Sequence, residues 1–99
     1  MTVNTTREGN RLTIIPEDRI DTVTAPELDQ VIADELGEAS ELVIDLGKVN
    51  YISSAGLRVL LTYAQEMDTR EGSITAVNVN DRVREIFDMT GFLEILNVE

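Results

Sequence analysis

Apolar and polar positions first organise the chain into short extended runs. Val3 to Arg7 and Arg11 to Pro16 read as two strands, and Glu8-Gly9-Asn10 between them has the composition of a hairpin turn. Leu12, Ile14 and Ile15 give the second strand its apolar content. Pro16 has no N–H for a ladder, so the strand should end there or run along an edge. The period then becomes helical, with Leu28, Val31, Ile32 and Leu36 on one face. Thr24-Ala25-Pro26-Glu27 opens that helix. Thr24 is expected to cap it, and Glu27 to reach back in a capping box. Pro26 is tolerated in the first turn, where its missing N–H would go unpaired anyway. Gly37 should end the helix in a left-handed conformation.

Leu42-Val43-Ile44-Asp45-Leu46 is nearly continuous in apolar residues, the pattern of a central strand covered on both faces. A loop is expected from Gly47 to Ile52. A second helix follows from Ser53 or Ser54 to about Arg70, with Leu57, Leu60, Leu61, Ala64 and Met67 as its core stripe and Gly72 as its terminator. Val59 and Tyr63 fall off that stripe and read as half-buried packing or as an apolar part of a docking surface. Ile74 to Val79 is a further strand. Asn80 can cap a third helix, Asp81 suits its positive first turn, and Val83, Ile86, Phe87 and Met89 should face inward as far as Gly91. Phe92 to Val98 closes the chain as a short strand. The order ββα-βα-βα-β predicts a single α/β domain over residues 1–99, with a four- to five-stranded mixed sheet and helices packed mainly on one face.

Composition narrows the chemistry. The chain has no cysteine, which removes disulfides, thiolate nucleophiles and zinc knuckles. It also has no histidine, the commonest general base and metal ligand. Few enzyme mechanisms survive both losses. The net charge of −11 opposes nucleic acid and anionic membranes alike. No apolar run approaches the roughly 18 residues of a membrane span, and Met1 to Thr5 lacks a signal peptide's pattern, so the cytoplasm is the expected address. The acidic residues show no EF-hand spacing and the single glycines no phosphate-cradling loop, so no metal or cofactor is expected. No long apolar stripe is left over, which favours a monomer.

The informative stretch runs from Asp45 to Leu61. A buried strand feeds a loop, and the loop feeds a helix whose N-terminus carries Ser53 and Ser54, followed by the small residues Ala55 and Gly56. Such an end has unpaired N–H groups and favours negative charge. A glycine inside a helix costs about 0.5–1 kcal/mol against alanine, and its merit is close approach by another part of the chain. A serine hydroxyl here could be a plain cap or a phosphoryl acceptor, and the residues alone leave both open. A serine nucleophile is poorly supported, because G-x-S-x-G and a histidine base are both absent. Asp21 likewise reads as a turn residue or a contact.

Ile52-Ser53-Ser54-Ala55-Gly56-Leu57-Arg58-Val59-Leu60 resembles the signature of STAS domains, in particular the bacterial anti-sigma factor antagonists. Arg19 to Leu28 resembles the family's loop and first helix, and Val83 to Phe92 its closing helix and turn. The resemblance implies a regulatory protein and not an enzyme. Its unphosphorylated form would bind an anti-sigma factor that is also a serine kinase, freeing the sigma factor. The kinase would use ATP to phosphorylate one serine and so release the antagonist, and a PP2C-type phosphatase would restore it. By position the acceptor is Ser54; Ser53 stands where relatives often carry aspartate. Asp21 and Thr22 match a loop beside the acceptor that touches the kinase. With Ser53, Ser54, Gly56 and Arg58 they make up the expected partner-binding surface. Two other accounts remain: a constitutive STAS subunit of a stress-signalling or lipid-transport assembly, with Ser54 only a cap, and a small hydrolase or transferase using carboxylates or Ser54.

Overall fold

The computed structural model describes residues 1–99. In chain order its elements are β1 (Val3–Glu8), β2 (Arg11–Pro16), β3 (Asp18–Ile20), α1 (Ala25–Glu35), β4 (Glu41–Asp45), β5 (Val49–Ile52), α2 (Ser54–Thr69), β6 (Ser73–Val77), α3 (Asp81–Thr90) and β7 (Asn97–Val98), with a turn of 3-10 helix at Phe92–Glu94. Five strands form one mixed sheet in the order β1-β2-β4-β6-β7. The β1–β2 hairpin is antiparallel and turns at Gly9, whose φ of +60° is a conformation glycine enters without a Cβ penalty. The remaining pairs are parallel.

The parallel register lines up side chains in rows across the sheet. Leu12, Leu42 and Ile74 form one row, and Ile14, Ile44 and Ala76 another. All six are buried, beneath α1 and α2. Burial of a leucine or isoleucine this complete contributes about 1.5–3 kcal/mol. The opposite row, Thr13, Val43 and Thr75, is only partly buried. The helices therefore cover one face, as expected. β4 is central, but it is not covered on both faces: Val43 suits the open side through its β-branched fit to a pleated surface.

Other expectations need correction. The segment expected as a loop holds β5, which pairs in parallel with the unexpected β3 to make a separate two-stranded ribbon. In α2 the buried stripe is Gly56, Leu57, Leu60, Tyr63 and Met67, while Leu61 and Ala64 are half-buried. Tyr63 is accepted inside because its hydroxyl reaches Asp29 Oδ1 on α1 at 2.7 Å, so burial leaves no unpaired polar tip. At the end of α2 the left-handed residue is Glu71, with φ +59°. Gly72 serves close approach instead, since a Cβ there would lie 2.5 Å from the Ser40 carbonyl oxygen. Gly37 takes the expected left-handed conformation, and Gly91, which ends α3, takes it as well.

In α3, Asn80 caps through a bond from the Val83 N–H at 2.9 Å, and Val83 and Phe87 face inward. Met89 is 79% exposed, because two residues past Phe87 the helix has turned it away from the core. The closing segment is a strand only at Asn97–Val98. Before it Phe92 folds back to stack on Phe87, with ring centroids 6.1 Å apart. No helix is long and apolar enough to cross a membrane.

Candidate functional site

The small ribbon places the two loops of interest side by side. β3 leads into the turn Asp21–Thr24 and then α1; β5 leads into Ser53 and then α2. The Ser53 N–H donates to the Ile20 carbonyl at 2.8 Å, tying the exit of one strand to the exit of the other.

Ser53 is the cap of α2. Its backbone is extended, and its hydroxyl accepts from the Gly56 N–H at 3.4 Å. Ser54 is the first helical residue. It is exposed, and its hydroxyl makes no hydrogen bond within the protein. The N–H groups of Ser54 and Ala55 have no partner inside the helix, so the surroundings of Ser54 favour added negative charge. Gly56 was expected on the contact surface, but it is buried. A Cβ there would sit 2.6 Å from Ile20 Cγ2 and 2.7 Å from Ile52 Cγ1. Glycine at 56 is what lets the start of α2 press onto the ribbon.

The other loop is closed by its own side chains. Asp21 Oδ1 accepts from the N–H groups of Val23 and Thr24, each at 3.0 Å. The Thr24 hydroxyl accepts from the Asp21 N–H and donates to the Arg19 carbonyl, both at 2.8 Å. The expected capping box at Thr24 and Glu27 is absent: Thr24 is already helical and makes no side-chain cap bond, and Glu27 faces the N-terminal amine at 3.4 Å. Asp21 performs the capping three residues earlier. These bonds, the Thr24 N–H foremost, hold its carboxyl below the usual carboxylate range, with Arg19 adding to the effect.

Thr22 is exposed at the crest of this turn. It faces a shallow groove between α1 and α2 whose other wall carries Ala55, Arg58 and Val59. Of the residues singled out from the sequence, Thr22 and Arg58 thus share one groove, Asp21 shapes its rim, and Ser53 and Ser54 head the helix on its far side. Val23, 78% exposed beside Thr22, went unremarked. Its signal was that of one apolar residue in an otherwise polar turn. No three carboxylates converge closely enough to hold a metal ion.

Comparison with known proteins places the fold. The STAS domain family model matches residues 2–99, and the chain belongs to that family. BtrV, a candidate anti-sigma factor antagonist of Bordetella bronchiseptica, is 35% identical over 80 residues, which make up 80% of this chain and 69% of that protein. The crystal structure of an anti-sigma factor antagonist from Mycobacterium paratuberculosis superposes with a TM-score of 0.87 at 26% identity, covering 98% of this chain and 83% of that one. The fold is also that of the Bacillus antagonist SpoIIAA. Its unphosphorylated form matches with a TM-score of 0.77 at 12% identity, over 99% of this chain and 87% of that one. Its phosphorylated form matches with the same TM-score at 13% identity, over 99% and 91%.

Proposed function

We propose that this protein is a cytoplasmic anti-sigma factor antagonist switched by phosphorylation of Ser54. Unphosphorylated, it binds an anti-sigma factor that is also a serine kinase, and the sigma factor is released. In the kinase, Ser54 Oγ attacks the γ-phosphorus of ATP, its proton passes to a base of the kinase, and ADP leaves. A PP2C-type phosphatase hydrolyses the phosphoserine and restores binding. The protein is the substrate in both steps and supplies no catalytic group.

The observation that carries this reading is the division of labour between the two serines. Ser53 fills the cap, so Ser54 is left exposed with a free hydroxyl at the positive end of a helix. A phosphoryl group there adds about −1.5 to −2 charges at pH 7. The helix end stabilises that charge locally by about 0.3–1 kcal/mol. A partner surface built around a neutral hydroxyl is disrupted by it, and the Asp21 carboxylate in the adjoining turn adds like charge. The antagonist names of relatives above a quarter identity support the reading, as does a protein of this fold solved in a phosphorylated form. The alternative of a constitutive subunit gave Ser54 the cap, a position that Ser53 fills.

The test is intact mass with site mapping after incubation with ATP and the anti-sigma kinase of the same cells. One phosphate on Ser54 is expected, with none on Ser54→Ala. Ser54→Asp should bind the kinase about two orders of magnitude more weakly than Ser54→Ala, as for a charge left unpaired in an interface. No phosphate, or equal binding by the two variants, overturns the proposal.

A further inference from the structure

A second feature lies on the ribbon face turned away from the core. The β3–β5 register sets Arg19 beside Tyr51, while Ile20 and Ile52 point inward. The Arg19 guanidinium carbon lies 4.7 Å from the centroid of the Tyr51 ring. Arg82, from the first turn of α3, places its own 5.8 Å from the same centroid. Two like charges thus share one aromatic ring.

Neutralisation within the protein accounts for only one of the two. Arg11, Lys48 and Arg70 pair with Glu41, Glu17 and Glu66 at 2.7, 3.8 and 2.8 Å. Arg19 faces Asp21 Oδ2 at 3.7 Å, while the other oxygen of that carboxylate accepts two backbone N–H groups. Arg82 forms no ion pair. Nor does helix stability account for it, because a cation in the first turn of α3 opposes the helix dipole. The Tyr51 hydroxyl makes no hydrogen bond within the protein, so a free donor lies beside two guanidiniums. In a chain of net charge −11 this is a meeting of two guanidiniums on one ring of the ribbon. Its chemistry is that of carboxylate recognition, which guanidinium groups perform in bidentate fashion.

We infer that Arg19, Tyr51 and Arg82 form a docking site for an acidic segment of the protein partner. The inference rests on the partner surface lying at the Ser54 end of the molecule. Tyr51 is three residues before Ser54, so at most about 11 Å of chain separates them. A segment docked on the patch is therefore continuous with a contact at Ser54. A phosphate on Ser54 sits within about one Debye length of it, and repels the acidic segment that the arginines attract.

The probe is a hexaglutamate peptide, titrated at low salt into the isotopically labelled full chain and followed by the NMR signals of the arginine Nε–H groups and the Tyr51 ring. Saturable shifts confined to Arg19, Tyr51 and Arg82 are expected. They should weaken about tenfold in Arg19→Gln/Arg82→Gln, stay within about twofold in Arg84→Gln on the same helix, and fade as salt rises past about 0.3 M. Arg82→Gln alone, at an exposed residue without an ion pair, repeats the test without risk to the fold. Shifts centred elsewhere, no saturation, or unchanged binding by the double variant would overturn the inference. The peptide is titrated into the unphosphorylated chain with neither kinase nor ATP present. Failure of the kinase assay and failure of this site are therefore read separately.

Discussion

The ribbon of β3 and β5 feeds two helices, and the two entrances are built differently. At α1, Asp21 and Thr24 consume each other's polar groups, and the turn is closed on itself. At α2, one serine hydroxyl serves the cap and the next is left free. Both entrances rest on the same buried pair, Ile20 and Ile52. A closed turn holds its shape without a partner and is suited to be read. An entrance with a spare hydroxyl is suited to be changed. Under the proposed function, the first would supply the recognition rim and the second the covalent switch.

The largest way to break the contrast is at the point both entrances share. Gly56→Val would drive a side chain into Ile20 and Ile52, whose nearest carbons are under 3 Å from a Cβ. Overpacking of this kind destabilises by about 1–3 kcal/mol, partly offset by valine's better helix propensity. Urea unfolding should show that loss together with slower phosphorylation of Ser54, because the helix start is displaced. A variant as stable as the native chain would mean that the ribbon does not brace α2.

Next in size is the contact between the two helices. Tyr63→Phe removes the bond to Asp29 and should cost about 1 kcal/mol. Burial, and then Asp29, raise the Tyr63 pKa above its usual range. The native state therefore keeps this proton when the unfolded chain loses it. The contribution is complete below about pH 10 and is lost as the pH rises past that value. Unfolding free energies from pH 8 to 11 should fall for the native chain and stay flatter for Tyr63→Phe; parallel curves would refute the assignment.

A smaller effect separates the closed turn from its charge. Asn at position 21 keeps an oxygen for the Val23 and Thr24 N–H groups but gives up the carboxylate. Folding lowers the Asp21 pKa, so its contribution is present above the ordinary carboxylate range and lost as pH falls through the lowered native value. The stability gap between the native chain and Asp21→Asn should therefore narrow as the solution is acidified below that range. A gap that does not change with pH would show that neutral hydrogen bonding alone holds the turn.

What the sequence disclosed follows the range of the interactions involved. β2, the inner face of α1 and the Asn80 cap depend on neighbours in the chain, and each was legible from local period and cap chemistry. The ribbon was not. β3 has three residues and β5 four, too few to establish a period, and their pairing includes a register shift at Asp18 and Arg19. Its strands hold because Ile20, Val49 and Ile52 are buried among parts distant in sequence. Gly56 could be recognised as unusual, but its neighbour Ile20 lies far back in the chain. The serine pair was legible as a motif. Which of the two is free depends on where the backbone changes from extended to helical, a matter of ψ at Ser53 that the residue names do not carry.

The smallest stability effects give the sharpest form of the contrast. Ser53→Ala removes a cap bond that is long at 3.4 Å, so its cost should fall near the low end for caps, about 0.5–1 kcal/mol. Ser54→Ala removes an exposed hydroxyl without a partner and should stay within about 0.5 kcal/mol of the native chain. Phosphorylation should show the reverse order, with Ser53→Ala still modified and Ser54→Ala inert. Stability and modification would then be carried by adjacent residues of the same type, divided by a single change of backbone conformation. If Ser53→Ala lost modification while keeping its stability, the acceptor would be Ser53, and the entrance to α2 would have no residue devoted to the cap alone.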